Sequence, residues 1–122
     1  TEWCFTGRMI SADEAKEGRL VRSVHAPEDL LPAARAIARE IAENTAPVSV
    51  ALSRQMLWRM LGADHPMQAH RVDSRAINSR GASDDAREGV MSFLEKRSAN
   101  FPVKVSDGLP EVFPDWQDPQ FS

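Results

Sequence analysis

The side chains best equipped for chemistry in this 122-residue sequence are three histidines, one cysteine, and a phenylalanine and lysine three positions apart. His65 and His70 are five apart, which on a helix separates them by about 140° and denies them the shared face that the i, i+4 pair of an HExxH site provides. Capping or surface roles suit both better than metal binding. His25 stands alone. Cys4 has no second cysteine to pair with, so an internal disulfide is excluded and a reducing compartment fits best. No base is indicated beside it, and it reads as a small buried thiol rather than a nucleophile. There is no nucleophile elbow and no glycine-rich phosphate loop. The acidic pair Asp84 and Asp85 belongs to a helix start. The sequence therefore offers no catalytic residue and no metal ligand.

Three constellations remain. Arg71, Asp73, Arg75 and Arg80 form a mixed charge face, ordinarily a solvated surface. Trp58 lies among Met56, Met60 and Leu61, a grouping that reads as core or subunit contact. Phe93 and Lys96 are spaced to project from one side of a helix, an apolar ring beside a cation. That pair suits a nucleotide with a flat base and phosphates, yet spacing alone favours a core Phe beside a surface Lys.

The elements that must position these groups are mostly helical. Ser11-Ala12-Asp13-Glu14 has the form of a capping box, with the Ser11 hydroxyl accepting from the Glu14 N–H and the Glu14 carboxylate reaching back to the Ser11 N–H. It predicts a short helix to about Gly18. Leu20, Val21 and Val24 form the one strand candidate, about five residues closed by Pro27. Leu30, Ala34, Ile37 and Ile41 recur at helical spacing from Asp29 to Asn44, with Pro32 tolerable in a first turn. Thr45 or Ala46 caps a further helix that opens near Pro47 and runs towards Gly62. Its two adjoining stripes, Val48, Leu52, Met56 and Val50, Leu57, Leu61, predict burial on more than one side. Asp64, His65 and Pro66 start the next helix, to about Arg80, with Met67, His70, Ala76 and Ile77 as its expected inner face. Ser83 caps the last one, whose expected inner stripe is Ala86, Val90, Phe93 and Leu94, with Lys96 and Arg97 placed in its negative last turn. After Asn100 the texture changes. Pro102, Pro110, Pro114 and Pro119 are interleaved with Phe101, Phe113, Trp116 and Phe121, an extended tail whose aromatics need a surface.

Composition narrows the classes further. Lys and Arg number 15 against 18 Asp and Glu, a net charge of −3, and hydrophobic residues make up 42% of the chain. A chain of this size and apolar content can build a core, and its mild acidity argues against a nucleic-acid partner. No apolar run approaches the roughly 20 residues that span a bilayer, and no signal-peptide pattern opens the chain. A cytoplasmic protein without a membrane partner is expected.

Two separated runs then resemble one family. Phe5-Thr6-Gly7-Arg8, Ile10-Ser11-Ala12-Asp13-Glu14-Ala15, Leu20-Val21 and Val24 resemble the "LTGR.ISAEEA...GLV..V" segment of the enoyl-CoA hydratase/isomerase (crotonase) family. Glu88-Gly89-Val90, Ser92-Phe93-Leu94-Glu95-Lys96-Arg97 and Phe101 resemble its closing "EG..AFLEKR...F". The order is right, and the match extends over most of the chain to Phe101. One departure is local: the family's Gly before Leu-Val is Arg19 here, with Gly18 one place earlier. Another is Arg54, where the family often has Lys.

The resemblance implies a mainly α chain with at most one short strand, the C-terminal helical trimerisation region of a crotonase-like α/β spiral. Residues 1–26 would close the core spiral, 27–100 would form the helical oligomerisation region, and 101–122 the Pro- and aromatic-rich tail. It also implies acyl-CoA as substrate with no separate cofactor, hydration or isomerisation through an enolate held in an oxyanion hole, and a homotrimer or hexamer built on an N-terminal crotonase core. The family's oxyanion-hole loops and catalytic acids precede the "LTGR" segment, so no catalytic residue is inherited and the chain alone is expected to be inactive. Phe93 and Lys96 match the Phe and Lys of "AFLEKR", which the resemblance places at the adenine and phosphate end of CoA. Hydratase and isomerase chemistry stay open. The alternative reading is a stand-alone helical interaction module without catalysis.

Overall fold

A computed structural model of the chain describes residues 1–117 and residue 120. Pro119 and Phe121 of the expected tail lie outside the described residues. Seven helices occur among the described residues, and no strand. The chain divides into two compact units, Thr1–Glu40 and Ile41–Ser122.

The first unit holds α1 (Glu2–Thr6), α2 (Ala12–Glu17) and the start of α3 (Pro27–Asn44). Gly7 ends α1 at φ 62°, a conformation that glycine adopts without a Cβ clash. Ser11 caps α2 as its sequence requires, its hydroxyl accepting from the Glu14 N–H at 3.1 Å. The reciprocal half of the capping box is replaced. Glu14 instead accepts from Trp3 Nε1 at 2.9 Å and from both terminal nitrogens of Arg8, because a guanidinium fork outcompetes a single backbone N–H for a carboxylate.

The residues expected as a strand make a helix ending instead. Arg19 takes a left-handed conformation at φ 57°. Its N–H bonds the Lys16 carbonyl at 3.0 Å and the Leu20 N–H bonds that of Ala15 at 2.8 Å, the pair of bonds that defines a Schellman closure. Leu20 and Val21 have β-favouring side chains, but no second strand occurs among the described residues to receive their backbone groups, and the helix end takes them. Gly18 is fixed by packing: a Cβ there would come within 2.3 Å of the Trp3 ring. The left-handed position thus falls on an arginine. The helix α3 starts at Pro27 rather than Asp29, which leaves Pro32 inside it and one intrahelical bond unmade.

The second unit is built on α4 (Pro47–Arg59), α5 (Pro66–Gly81), α6 (Asp84–Glu95) and the single turn α7 (Val105–Gly108). Helix α4 packs against α5 and α7, and α5 against α6. Val48, Leu52, Val72, Ala76, Val112 and Phe113 form the core, with Met56, Met60 and Val103 beside them. Full burial of side chains such as Val48 and Leu52 stabilises by about 1.5–3 kcal/mol each. Two core residues, Val112 and Phe113, come from the tail, so that segment is part of the fold. Arg75 donates to the Val112 carbonyl at 3.5 Å and Arg80 to that of Gly108 at 3.2 Å. Arg71, Asp73 and Arg75 of the charge face are exposed as expected, while Arg75 and Arg80 also reach across to the tail.

Candidate functional site

Helix α6 places Phe93 and Lys96. Ser83 caps it, accepting from the Ala86 N–H at 3.3 Å, and Asp84 and Asp85 occupy its positive first turn. The face turned inward is not the apolar one. Asp85 and Ser92 are buried, Gly89 lies against the Phe101 ring, and Asp85 Oδ1 accepts from the Val103 N–H at 3.1 Å. Val90, Phe93 and Leu94, expected inside, are exposed. Spacing identifies a stripe but not its direction; here the side that carries Asp85, Gly89 and Ser92 fits closely against the chain that follows.

Phe93 is 82% exposed, which excludes the core reading for it. Lys96 does not continue the helix. It is the left-handed closing residue at φ 54° and ψ 40°, with its N–H on the Phe93 carbonyl at 3.3 Å and the Arg97 N–H on that of Ser92 at 3.1 Å. The expected i, i+3 helical relation between ring and cation is therefore replaced by a ring in the last turn and a cation at the cap. Neither Lys96 nor Arg97 lies in the last turn.

Arg97 serves another purpose. Its fork meets Glu88 bidentately at 2.5 and 2.9 Å, its Nε donates to Glu95 at 2.6 Å, and Glu88 also accepts from the Asn100 N–H at 2.7 Å. The Arg97 guanidinium first, and the Asn100 N–H second, pull the Glu88 carboxyl down to about 2. This clasp folds the chain back after Lys96 and leaves Lys96 without an ion pair among the described residues.

A second exposed apolar surface lies on α4. Val48 and Leu52 of its first stripe are buried, but Leu57 is 76% and Leu61 90% exposed, and the expected second buried side faces solvent. Trp58 is likewise exposed, lying under Arg54 at 5.5 Å, and is no core residue. On α5 the inner residues are Val72 and Ala76; Met67, His70 and Ile77 face outward. Between α4 and α5 lies an open cleft of about 700 Å³ lined by Met56, Leu57, Met60 and Leu61, with Ser53, His70 and Asp73 at its edge. These last three are not hydrogen-bonded to one another, so no nucleophile–base relay is assembled.

The remaining candidates take structural places. His65 caps α5, its Nδ1 accepting from the Met67 N–H at 3.0 Å, and His25 Nε2 is 2.7 Å from the Ser23 hydroxyl. Cys4 is exposed. Among the described residues, no three His, Cys, Asp or Glu side chains gather as a metal site, and no helix is long and apolar enough to cross a membrane.

Residues 1–104 match the sequence profile described as Enoyl-CoA hydratase/isomerase. The chain belongs to that family. It is 38% identical over 97 residues to an enoyl-CoA hydratase of Alternaria alternata, covering 79% of this chain and 32% of that protein. It is 37% identical over 93 residues to a short-chain-enoyl-CoA hydratase of Clostridium acetobutylicum, covering 76% and 35%. The crystal structure of a probable enoyl-CoA hydratase/isomerase from Mycobacterium abscessus superimposes with a TM-score of 0.75 at 27% identity, over 80% of this chain and 38% of that one. The chain thus spans about a third of the length of the curated relatives that it matches. Residues 105–122 lie beyond the family match.

Proposed function

We propose that the chain is the C-terminal helical part of an enoyl-CoA hydratase/isomerase-like enzyme acting on acyl-CoA thioesters. In this reading the bond-making groups, an oxyanion hole and acidic side chains, belong to polypeptide outside these 122 residues. The chain supplies subunit contacts and the outer wall of the CoA site, and residues 1–26, 27–100 and 101–122 close the core, oligomerise and form the tail respectively. The single observation that carries the reading is the outward apolar stripe of α6, with the Phe93 ring solvated in its last turn and a capping Lys96 that no carboxylate among the described residues engages. A ring offers a stacking face for adenine and an unpaired ammonium a counter-ion for phosphate.

Surface area supports the need for partners. The chain exposes 10178 Å², whereas two separately folded bodies of its two units' sizes would expose about 7,800 Å². Leu57, Leu61, Val90, Phe93 and Leu94 are among the exposed large apolar side chains, and such surface suits contacts, here with an N-terminal core and with further copies in a trimer or hexamer.

The test is hydration of crotonyl-CoA followed by loss of the absorbance of the conjugated carbon–carbon double bond. The chain alone is expected to show none, and the enzyme carrying it together with its core is expected to turn over. Hydration by the purified 122-residue chain would overturn the assignment of catalysis to other polypeptide.

A further inference from the structure

The tail beyond the family match builds a second cleft, of about 370 Å³, that the acyl-CoA reading leaves unused. Arg59 and Met60 of α4, Gln68 and Arg71 of α5, and Phe113 and Trp116 of the tail line it. Its size falls within the range of small-molecule sites. The Arg59 guanidinium lies 4.5 Å from the Phe113 ring centroid and 5.0 Å from that of Trp116. Stacking of this kind fixes the plane of a guanidinium and leaves its N–H donors free at the edge.

Those donors engage no described residue, and Arg71 has no ion pair or hydrogen bond either. Arg75 and Arg80 differ, for each donates to a tail carbonyl. Two arginines from different helices therefore face one cleft with their donors unused. Asp115 is the one carboxylate among the lining residues and pairs with neither, so the local balance is two cations against one anion. Arg59 is half-buried and Arg71 exposed on the rim, so the cleft presents guanidinium donors from both, and an oxyanion is the group that charge-assisted N–H donors bind best.

We propose that this cleft binds a small phosphate monoester with a flat apolar group, the phosphate on Arg59 and Arg71 and the apolar group on Trp116 and Met60. The site is separate from Phe93 and Lys96, and the proposal does not rest on the acyl-CoA reading. It exists because the tail folds onto α4 and α5, and no residue of it after 104 belongs to the family match.

Phenyl phosphate titrated into the full chain, followed by NMR chemical shifts, tests it. Saturable one-to-one binding is expected, with inorganic phosphate binding more weakly because it lacks the ring. Arg71→Gln, at an exposed position, should weaken phenyl phosphate by about tenfold, the scale of one charge-assisted contact, and Trp116→Ala should weaken it with little effect on inorganic phosphate. Lys96→Ala should leave it unchanged. Absence of saturable binding, undiminished binding in Arg71→Gln, or loss of binding in Lys96→Ala overturns the proposal; the last result would move the anion to α6 instead.

Discussion

Replacing Lys96 with glycine should make the protein more stable and its proposed CoA contact weaker. Lys96 closes α6 at φ 54°, and an L-residue in the left-handed region costs about 1–2 kcal/mol through crowding of its Cβ against the following carbonyl. Glycine removes that cost but loses about 0.5–1 kcal/mol more backbone entropy on folding. The net expectation for Lys96→Gly is a gain of about 0.5–1 kcal/mol. In a unit of this length that raises Tm by about 2–8 °C. The Schellman bonds from Lys96 and Arg97 to Phe93 and Ser92 are backbone bonds and survive the change. Thermal melting by circular dichroism reads the stability, and KM for an acyl-CoA in the enzyme joined to its core reads the binding. Lys96→Ala separates the two effects, since alanine removes the ammonium but keeps the Cβ. It should raise KM by about two- to twelvefold, corresponding to about 0.5–1.5 kcal/mol for one partly exposed charged contact, without the gain in Tm. A fall in Tm for Lys96→Gly would refute the strain argument. An unchanged KM in both variants would refute the role of the ammonium.

Further expectations concern the clasp, the core and the first unit. The Glu88 carboxyl is held near 2 against its ordinary 4.5, so the unfolded chain binds the extra proton between those values. Its stabilising contribution is complete above about pH 4.5 and disappears as pH falls through 2; acid unfolding of Glu88→Gln should be flatter across that window, and an unaltered profile would count against the clasp. Leu52→Ala should cost about 2–5 kcal/mol and Phe113→Ala about 3–5 kcal/mol, both read as loss of the second unit's denaturant midpoint; a small effect at Phe113 would show that the tail is not part of the core. Arg19→Gly, by the same left-handed argument, should stabilise the first unit, whereas Gly18→Ala should destabilise it by driving a methyl into Trp3. Amide exchange over α2 checks both directions.

The helices were legible where short-range chemistry sets them. Ser11, Pro47, His65 and Ser83 each mark a start within a residue or two of the one observed, because a cap answers to its own N–H groups. The faces were less legible. Periodicity showed apolar stripes on α4 and α6, but Leu57, Val90 and Phe93 point outward, and a stripe reads alike whether it meets this chain or another polypeptide. Leu20 to Val24 misled because β-favouring side chains carry no information about a missing partner strand. The tail was read as needing a surface, which Val112 and Phe113 find in the core, but the arginine clasp depends on carbonyls that no side-chain pattern encodes. Of the site, sequence named Phe93 and Lys96, while the left-handed turn between them and Arg97 emerged from the backbone alone.

Sedimentation velocity of the 122-residue chain, run across a wide concentration range beside a Leu57→Ser, Leu61→Ser, Phe93→Ser variant, bears most directly on whether these apolar faces are contact surfaces. The account predicts concentration-dependent association of the unaltered chain and its suppression in the variant, with secondary structure retained in both. A monodisperse monomer at every concentration, melting cooperatively and indistinguishable from the variant, would contradict it.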